Sequence, residues 1–165
     1  MTKLILALMC AITLTKQPGE TKVMMENDKN GMFILDNENV FQFIDHEDIL
    51  LIERCVMSEA GDQPVLAQEG VATVILNRWM NPDKYPDTIE GVIMDPGQFS
   101  IKDNGVPTVS VRVAVYNAIV FYNTYQQDLP RSAYYFRSGK YHDFGINYCN
   151  YGDMYFSLAS DAVTD

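Results

Sequence analysis

The sequence predicts an α+β domain, mainly helical, with a small antiparallel strand pair near the C-terminus. Apolar residues recur at helical spacing in several segments between Asp45 and Tyr125, and the last third turns aromatic and glycine-rich with two short β-prone runs. Composition agrees: 47% hydrophobic and 21% charged residues over 165 positions are enough for one packed core.

The first residues, Met1 to Lys16, combine Lys3, an apolar stretch from Leu4 to Leu14 and a polar exit. They resemble a secretory signal too short to span a bilayer, and the expectation is a secreted protein. An apolar first helix of the domain is the other reading. Residues 17–40, broken by Pro18, Gly19 and Gly31, read as a linker, and residues 41–165 as the domain.

A helix is expected from Asp45, which can cap it, to Ala60, with Gly61 stopping it. Ile52, Cys55, Val56 and Glu59 fall at i, i+3, i+4 and i+7, so the glutamate shares the core-facing stripe. A second helix follows Asp62 with Pro64 in its first turn; Ala67, Val71, Val74, Ile75 and Arg78 keep the spacing until Asn81-Pro82. Asp87 and Glu90 look like a capping box for a short helix carrying Ile89, Val92 and Ile93. Asp95-Pro96-Gly97 is a turn that leaves Gln98, Phe99 and Ser100 exposed or lining a cleft. A third long helix over Ser110 to Tyr125 carries the stripe Val111, Ala114, Val115, Ala118, Ile119 and Tyr122. Tyr134 to Phe136 and Met154 to Phe156 are read as paired strands joined by a long polar loop.

A formal charge of -10, from 22 acids against 12 bases with no basic run, speaks against nucleic acid as a partner. The cysteines are Cys10, Cys55 and Cys149. Removal of a signal would leave two that could pair, and two free thiols are the alternative. With no CxxC or HExxH and only His46 and His142, no zinc site or other metal is expected.

An inward-facing Glu59 loses hydration, which disfavours its charged form and suits it to donate a proton to a departing glycosidic oxygen. A structural glutamate paired at a helix end fits the same spacing. The 10 tyrosines and 8 phenylalanines, crowded late in the chain beside Asn147 and Asn150, can stack on sugar rings or simply form a core. Thiol chemistry with Cys55 as nucleophile and His142 as base is a third reading, against which stands the packing position of Cys55.

The stretch CVMSEAGDQPVLAQEGVATVILNRWMNPDKYPDTIEGVIMDPGQFS resembles the cell wall hydrolase family of the SleB and CwlJ type, the spore cortex-lytic enzymes and their relatives. The matching steps are Glu59-Ala60, Gln68, Val71-Ala72, Val74, Leu76-Asn77-Arg78, Pro86, Thr88-Ile89, Val92-Ile93 and Gln98-Phe99-Ser100, in order and at similar spacing. The resemblance runs from Ile49 to Phe156 and is strongest as far as Ser100. Two departures stand out. Ser58 replaces the usual alanine, and after the matching Gly152, Asp153 and Met154 replace the closing asparagine and histidine.

The resemblance implies a lysozyme-like α+β domain that cuts peptidoglycan glycan strands between N-acetylmuramic acid and N-acetylglucosamine, with Glu59 as acid and base. It implies a monomer without cofactor, whose glycan groove is lined by Gln98, Phe99, Ser100, Asn77, Gln68, Tyr134, Tyr135 and Tyr155. Several members are lytic transglycosylases that need no second carboxylate, and the variant with a second acid has glutamate where this chain has Gln63. A hydrolytic muramidase, for which Asp62 and Glu69 are the nearest second acids, and a wall-binding relative without activity remain open. So does the wall itself: spore cortex, vegetative wall, or a host wall attacked by a phage lysin.

Overall fold

The computed structural model describes residues 31–35, 41–101, 106–124 and 128–161. The signal-like segment and most of the expected linker lie outside these residues, as does Tyr125. The described chain runs β1 (Gly31–Leu35), β2 (Phe41–Asp45), α1 (His46–Ala60), α2 (Val65–Trp79), α3 (Ile89–Met94), α4 (Val109–Thr124), β3 (Ala133–Ser138), β4 (Ile146–Tyr151) and β5 (Met154–Leu158).

Asp45 caps α1 as expected, its Oδ1 accepting from the Asp48 N–H at 2.8 Å, with Glu47 and Asp48 in the positive first turn. Leu51, Ile52, Cys55, Val56 and Ala60 form the buried stripe. Helix α2 is buried from Ala67 through Arg78 and forms the centre of the domain, packing most extensively against α4. The α4 stripe of Val111, Ala114, Val115, Ala118, Ile119 and Tyr122 is buried as its spacing predicts. The cap of α3 is shifted by one residue from expectation. Thr88 Oγ1 accepts from the Gly91 N–H at 3.0 Å, while the Asp87 carbonyl accepts from Trp79 Nε1 at 3.2 Å.

The α+β class holds, with more strand than the sequence showed. Gly31–Leu35, expected as linker, pairs antiparallel with Phe41–Asp45, Phe33 opposite Phe43. The hairpin forms because Ile34 and Ile44 are fully buried against the helices, and Asn123 Nδ2 of α4 donates to the Phe33 carbonyl at 2.8 Å. The second sheet has the order β3-β5-β4, all antiparallel. The expected pair is present, Phe136 opposite Phe156, but Ile146–Tyr151 is a third strand where a polar loop was expected. A register shift between Asn147 and Cys149 breaks its alternation, and Asn147, Tyr148 and Asn150 are exposed, so its pattern reads as loop. Phe156 packs on α2 at Gly70, where a Cβ would come within 2.5 Å of its ring.

Candidate active site

The last turn of α1 carries Ser58 and Glu59, both half-buried, to the edge of the domain. Beyond α3, the Asp95-Pro96-Gly97 turn returns the chain with Gly97 at φ 78° and the Gln98 N–H on the Asp95 carbonyl at 3.1 Å. That return brings Ser100 to Glu59: its backbone N–H donates to Glu59 Oε1 at 2.5 Å, and its carbonyl accepts from Ser58 Oγ. Because Oε1 accepts an N–H, the proton of a neutral carboxyl belongs on Oε2.

Beneath this segment lies Arg78 of α2, a buried cation. Its Nη1 donates to Gln98 Oε1 at 3.0 Å and its Nε to the Tyr134 carbonyl at 2.9 Å. The guanidinium carbon stands 5.0 Å from the Phe99 ring centre and 5.4 Å from that of Tyr85. Burial pulls its pKa below the ordinary guanidinium value, opposed by Tyr85, Tyr135 and Asp95. The Tyr85 phenol is pushed up, first by burial and then by its hydrogen bond with Tyr135.

At the α1–α2 junction, close in sequence to Glu59, the two-residue turn of β4 and β5 docks. Gly152 has φ 57°, and a Cβ there would meet Pro64 Cδ at 2.7 Å. The Asp153 N–H donates to Gln63 Oε1 at 3.0 Å, and Ser138 Oγ donates to Asp153 Oδ2 at 2.7 Å. Asp153 thus ties the sheet to the junction, while Met154, in the place of the closing histidine, is buried.

Of the residues expected at a glycan groove, Ser100 touches Glu59 directly, and Gln98, Phe99 and Tyr134 meet at Arg78. Phe99 also packs on Phe136, ring centres 5.8 Å apart, and the Tyr134 hydroxyl accepts from Asn81 Nδ2 at 2.8 Å. Tyr135 reaches the same cluster through its hydrogen bond with Tyr85 and also packs against Phe144 at 5.1 Å, while Tyr155 lies farther along the sheet, against Tyr141 at 5.0 Å.

Two expectations are corrected. Asn77 is buried, its Nδ2 donating to the carbonyls of Pro130 at 3.0 Å and Ala133 at 2.8 Å. Gln68 is buried too, its Nε2 donating to Gly61 and Gln63 carbonyls at 3.3 and 3.0 Å. Both amides brace loops and are closed to a ligand. Cys55 and Cys149 are free thiols. Cys55 is fully buried and its thiol pKa is pushed far up, first by burial and then by Glu59, which removes the thiolate reading. His142 Nε2 is instead 3.0 Å from the Phe136 carbonyl.

Sequence reasoning missed the roles of Ser58, Gln63 and Arg78. Arg78 had one signal: a cation on an otherwise apolar helix stripe must find partners inside.

These features define an α+β domain with a carboxylate held at an open helix end, and comparison with known proteins gives the family. The cell wall hydrolase family profile matches residues 62–156, more than half of the chain, beginning three residues after Glu59. The chain belongs to the cell wall hydrolase family. It is 40% identical over 85 residues to a spore cortex-lytic enzyme of Oceanobacillus iheyensis, covering 49% of this chain and 30% of that protein. With the spore cortex-lytic enzyme of Bacillus subtilis the identity is 36% over 78 residues, 45% of this chain and 25% of the relative. The chain therefore spans less than a third of these curated relatives. Among solved structures, the catalytic domain of Bacillus cereus SleB superposes with a TM-score of 0.54 at 26% identity, covering 67% of this chain and 88% of that one. The catalytic domain of the germination-specific lytic transglycosylase SleB from Bacillus anthracis gives 0.55 at 25%, covering 69% and 96%.

Proposed function

We propose that this protein cleaves the glycan strands of peptidoglycan between N-acetylmuramic acid and N-acetylglucosamine, with Glu59 as the proton donor. The observation that carries the reading is Glu59 at an open helix end with Oε1 held by the Ser100 N–H, which aims the acid proton from Oε2. Gln98, Phe99, Ser100 and Tyr134 line the glycan groove beside it, and Tyr135 and Tyr155 extend it along the sheet. Aromatic faces with a few polar groups match the alternating faces of a sugar chain.

The preferred route is lytic transglycosylation, the activity in the name of the Bacillus anthracis relative. Glu59 protonates the glycosidic oxygen as the C1–O bond breaks. The resulting carboxylate then takes the proton of the muramyl 6-hydroxyl, whose oxygen bonds to C1 and closes a 1,6-anhydro ring. Supporting this route, the nearest candidate second acids are engaged elsewhere: Asp62 accepts from Gln63 Nε2 at 3.2 Å, and Glu69 is bonded to Asn117 of α4. Gln63 itself cannot ionise.

Purified peptidoglycan with product analysis by mass spectrometry tests the reading. Anhydro-muramyl ends are expected, and Glu59→Gln is expected to lose roughly 10²–10⁴-fold in rate, the usual share of a general acid. Reducing ends alone would replace the route by hydrolysis. Binding without soluble product, or a Glu59→Gln protein as fast as the parent, would reject Glu59 as the acid.

A further inference from the structure

We propose that Ser58 and Arg78 are positioning residues that pin the two ends of the Gln98–Ser100 segment and so hold the Ser100 N–H on the Glu59 carboxyl. The inference rests on the reading of Glu59 as the proton donor. Gln98 to Ile101 belong to no helix or strand, and Gln98, Ser100 and Ile101 are exposed. Such a segment samples many conformations unless side chains restrain it. Here it is restrained from two elements at once.

From α1, the Ser58 hydroxyl donates to the Ser100 carbonyl, while the next residue, Glu59, accepts from the Ser100 N–H. One residue of the loop is thus gripped on both of its backbone polar groups by consecutive side chains of the helix. From α2, Arg78 holds Gln98 through its amide oxygen and Phe99 through its ring.

Arg78 makes no ion pair among the described residues, although it is buried. Its charge is met by a carbonyl, an amide oxygen and two aromatic faces. A buried cation with neutral partners is a costly way to fix a loop, and an apolar side chain would fill the same core position at less cost. The polar contacts it makes all aim at two places, the Gln98–Phe99 stretch and the start of β3, the two strips that flank the proposed groove.

The pin sets which carboxyl oxygen carries the proton. With the Ser100 N–H on Oε1, Oε2 is left to face the leaving oxygen. A loosened segment lets the carboxyl rotate and lowers the fraction of molecules with the proton correctly aimed. That loss falls mainly on kcat, with a smaller effect on KM because the same segment lines the proposed groove.

The test combines amide hydrogen exchange by NMR with steady-state kinetics on soluble peptidoglycan fragments, comparing the parent with Ser58→Ala, Ser58→Thr and Arg78→Lys. Ser58→Ala is expected to speed exchange at the Ser100 amide and to lower kcat, each by about tenfold, the worth of one hydrogen bond, with KM within about twofold. Exchange at Val74 and Ile75 in the core should not change. Ser58→Thr, which keeps the hydroxyl, should restore most of both. Arg78→Lys should loosen Ser100 as well, and if it fails to fold the serine variants carry the test alone. Parent-like Ser100 exchange and kcat in Ser58→Ala would overturn the pin. An active Glu59→Gln would instead overturn the proton donor, and Ser100 exchange would still report whether the pin exists.

Discussion

Helices α1 and α2 are consecutive and each has 15 residues, yet they use their polar side chains in opposite ways. In α1 the buried stripe is apolar apart from Glu53, which lies 3.8 Å from Arg112, and the half-open end carries Ser58 and Glu59. In α2 nearly every position is buried, and its polar residues bond inward, most of them to backbone carbonyls. Gln68 holds the α1–α2 junction, Thr73 Oγ1 bonds the Glu69 carbonyl, Asn77 holds the approach to β3, and Arg78 holds Tyr134. The central helix is a frame and the outer helix end is the proposed tool. An amide or guanidinium in a family motif can therefore belong to the frame, which is what happened to Gln68 and Asn77.

The sharpest way to break this division is to disturb the frame alone. Gly70→Val puts a branched side chain into the Phe156 ring, where a Cβ already has only 2.5 Å. Overpacking of this kind should cost about 3 kcal/mol in urea denaturation and cut activity only through the folded fraction. Asn77→Ala removes the donor from the Pro130 and Ala133 carbonyls and should cost about 2 kcal/mol. If the remaining folded Asn77→Ala protein had a strongly raised KM, Asn77 would belong to the groove after all.

The smallest effect is a pH dependence carried by Glu69. Burial raises its carboxyl above the ordinary 4.5, the Asn117 hydrogen bond opposes this, and Asp128 adds to it. The folded state then holds the proton more tightly than the unfolded chain. The resulting stability is present below pH 4.5 and is lost as pH rises through the folded value. Glu69→Gln cannot ionise, so its stability relative to the parent should improve between pH 4 and pH 7 in paired urea titrations. A relative loss over that range would show that the ionised carboxylate is the stabilised form.

Much of the helical frame was legible because a long amphipathic stripe is a redundant signal: α1, α2 and α4 each present several apolar positions, and one misread residue changes nothing. The strands were legible only where aromatics cluster, at β3 and β5. β1 and β4 were hidden because their partners, not their own patterns, decide their state. Ile34 marks β1 only once α1 and α4 are beside it, and the register shift in β4 erases its period. At the site, Glu59 and the Gln98–Ser100 segment were visible in the sequence, but their contact spans 41 positions and rests on a backbone N–H. No residue type announces such a donor, and Arg78 could be placed only after its neighbours were.

The strand order β3-β5-β4 has a consequence for biosynthesis. β5 is the last of these strands to leave the ribosome, yet β3 and β4 bond to it and not to each other. The wall that carries Tyr134 and Tyr135 therefore cannot assemble while the helices alone are outside the tunnel. A nascent chain arrested before Met154 would display the helices without a finished sheet, which delays that wall until β5 has emerged.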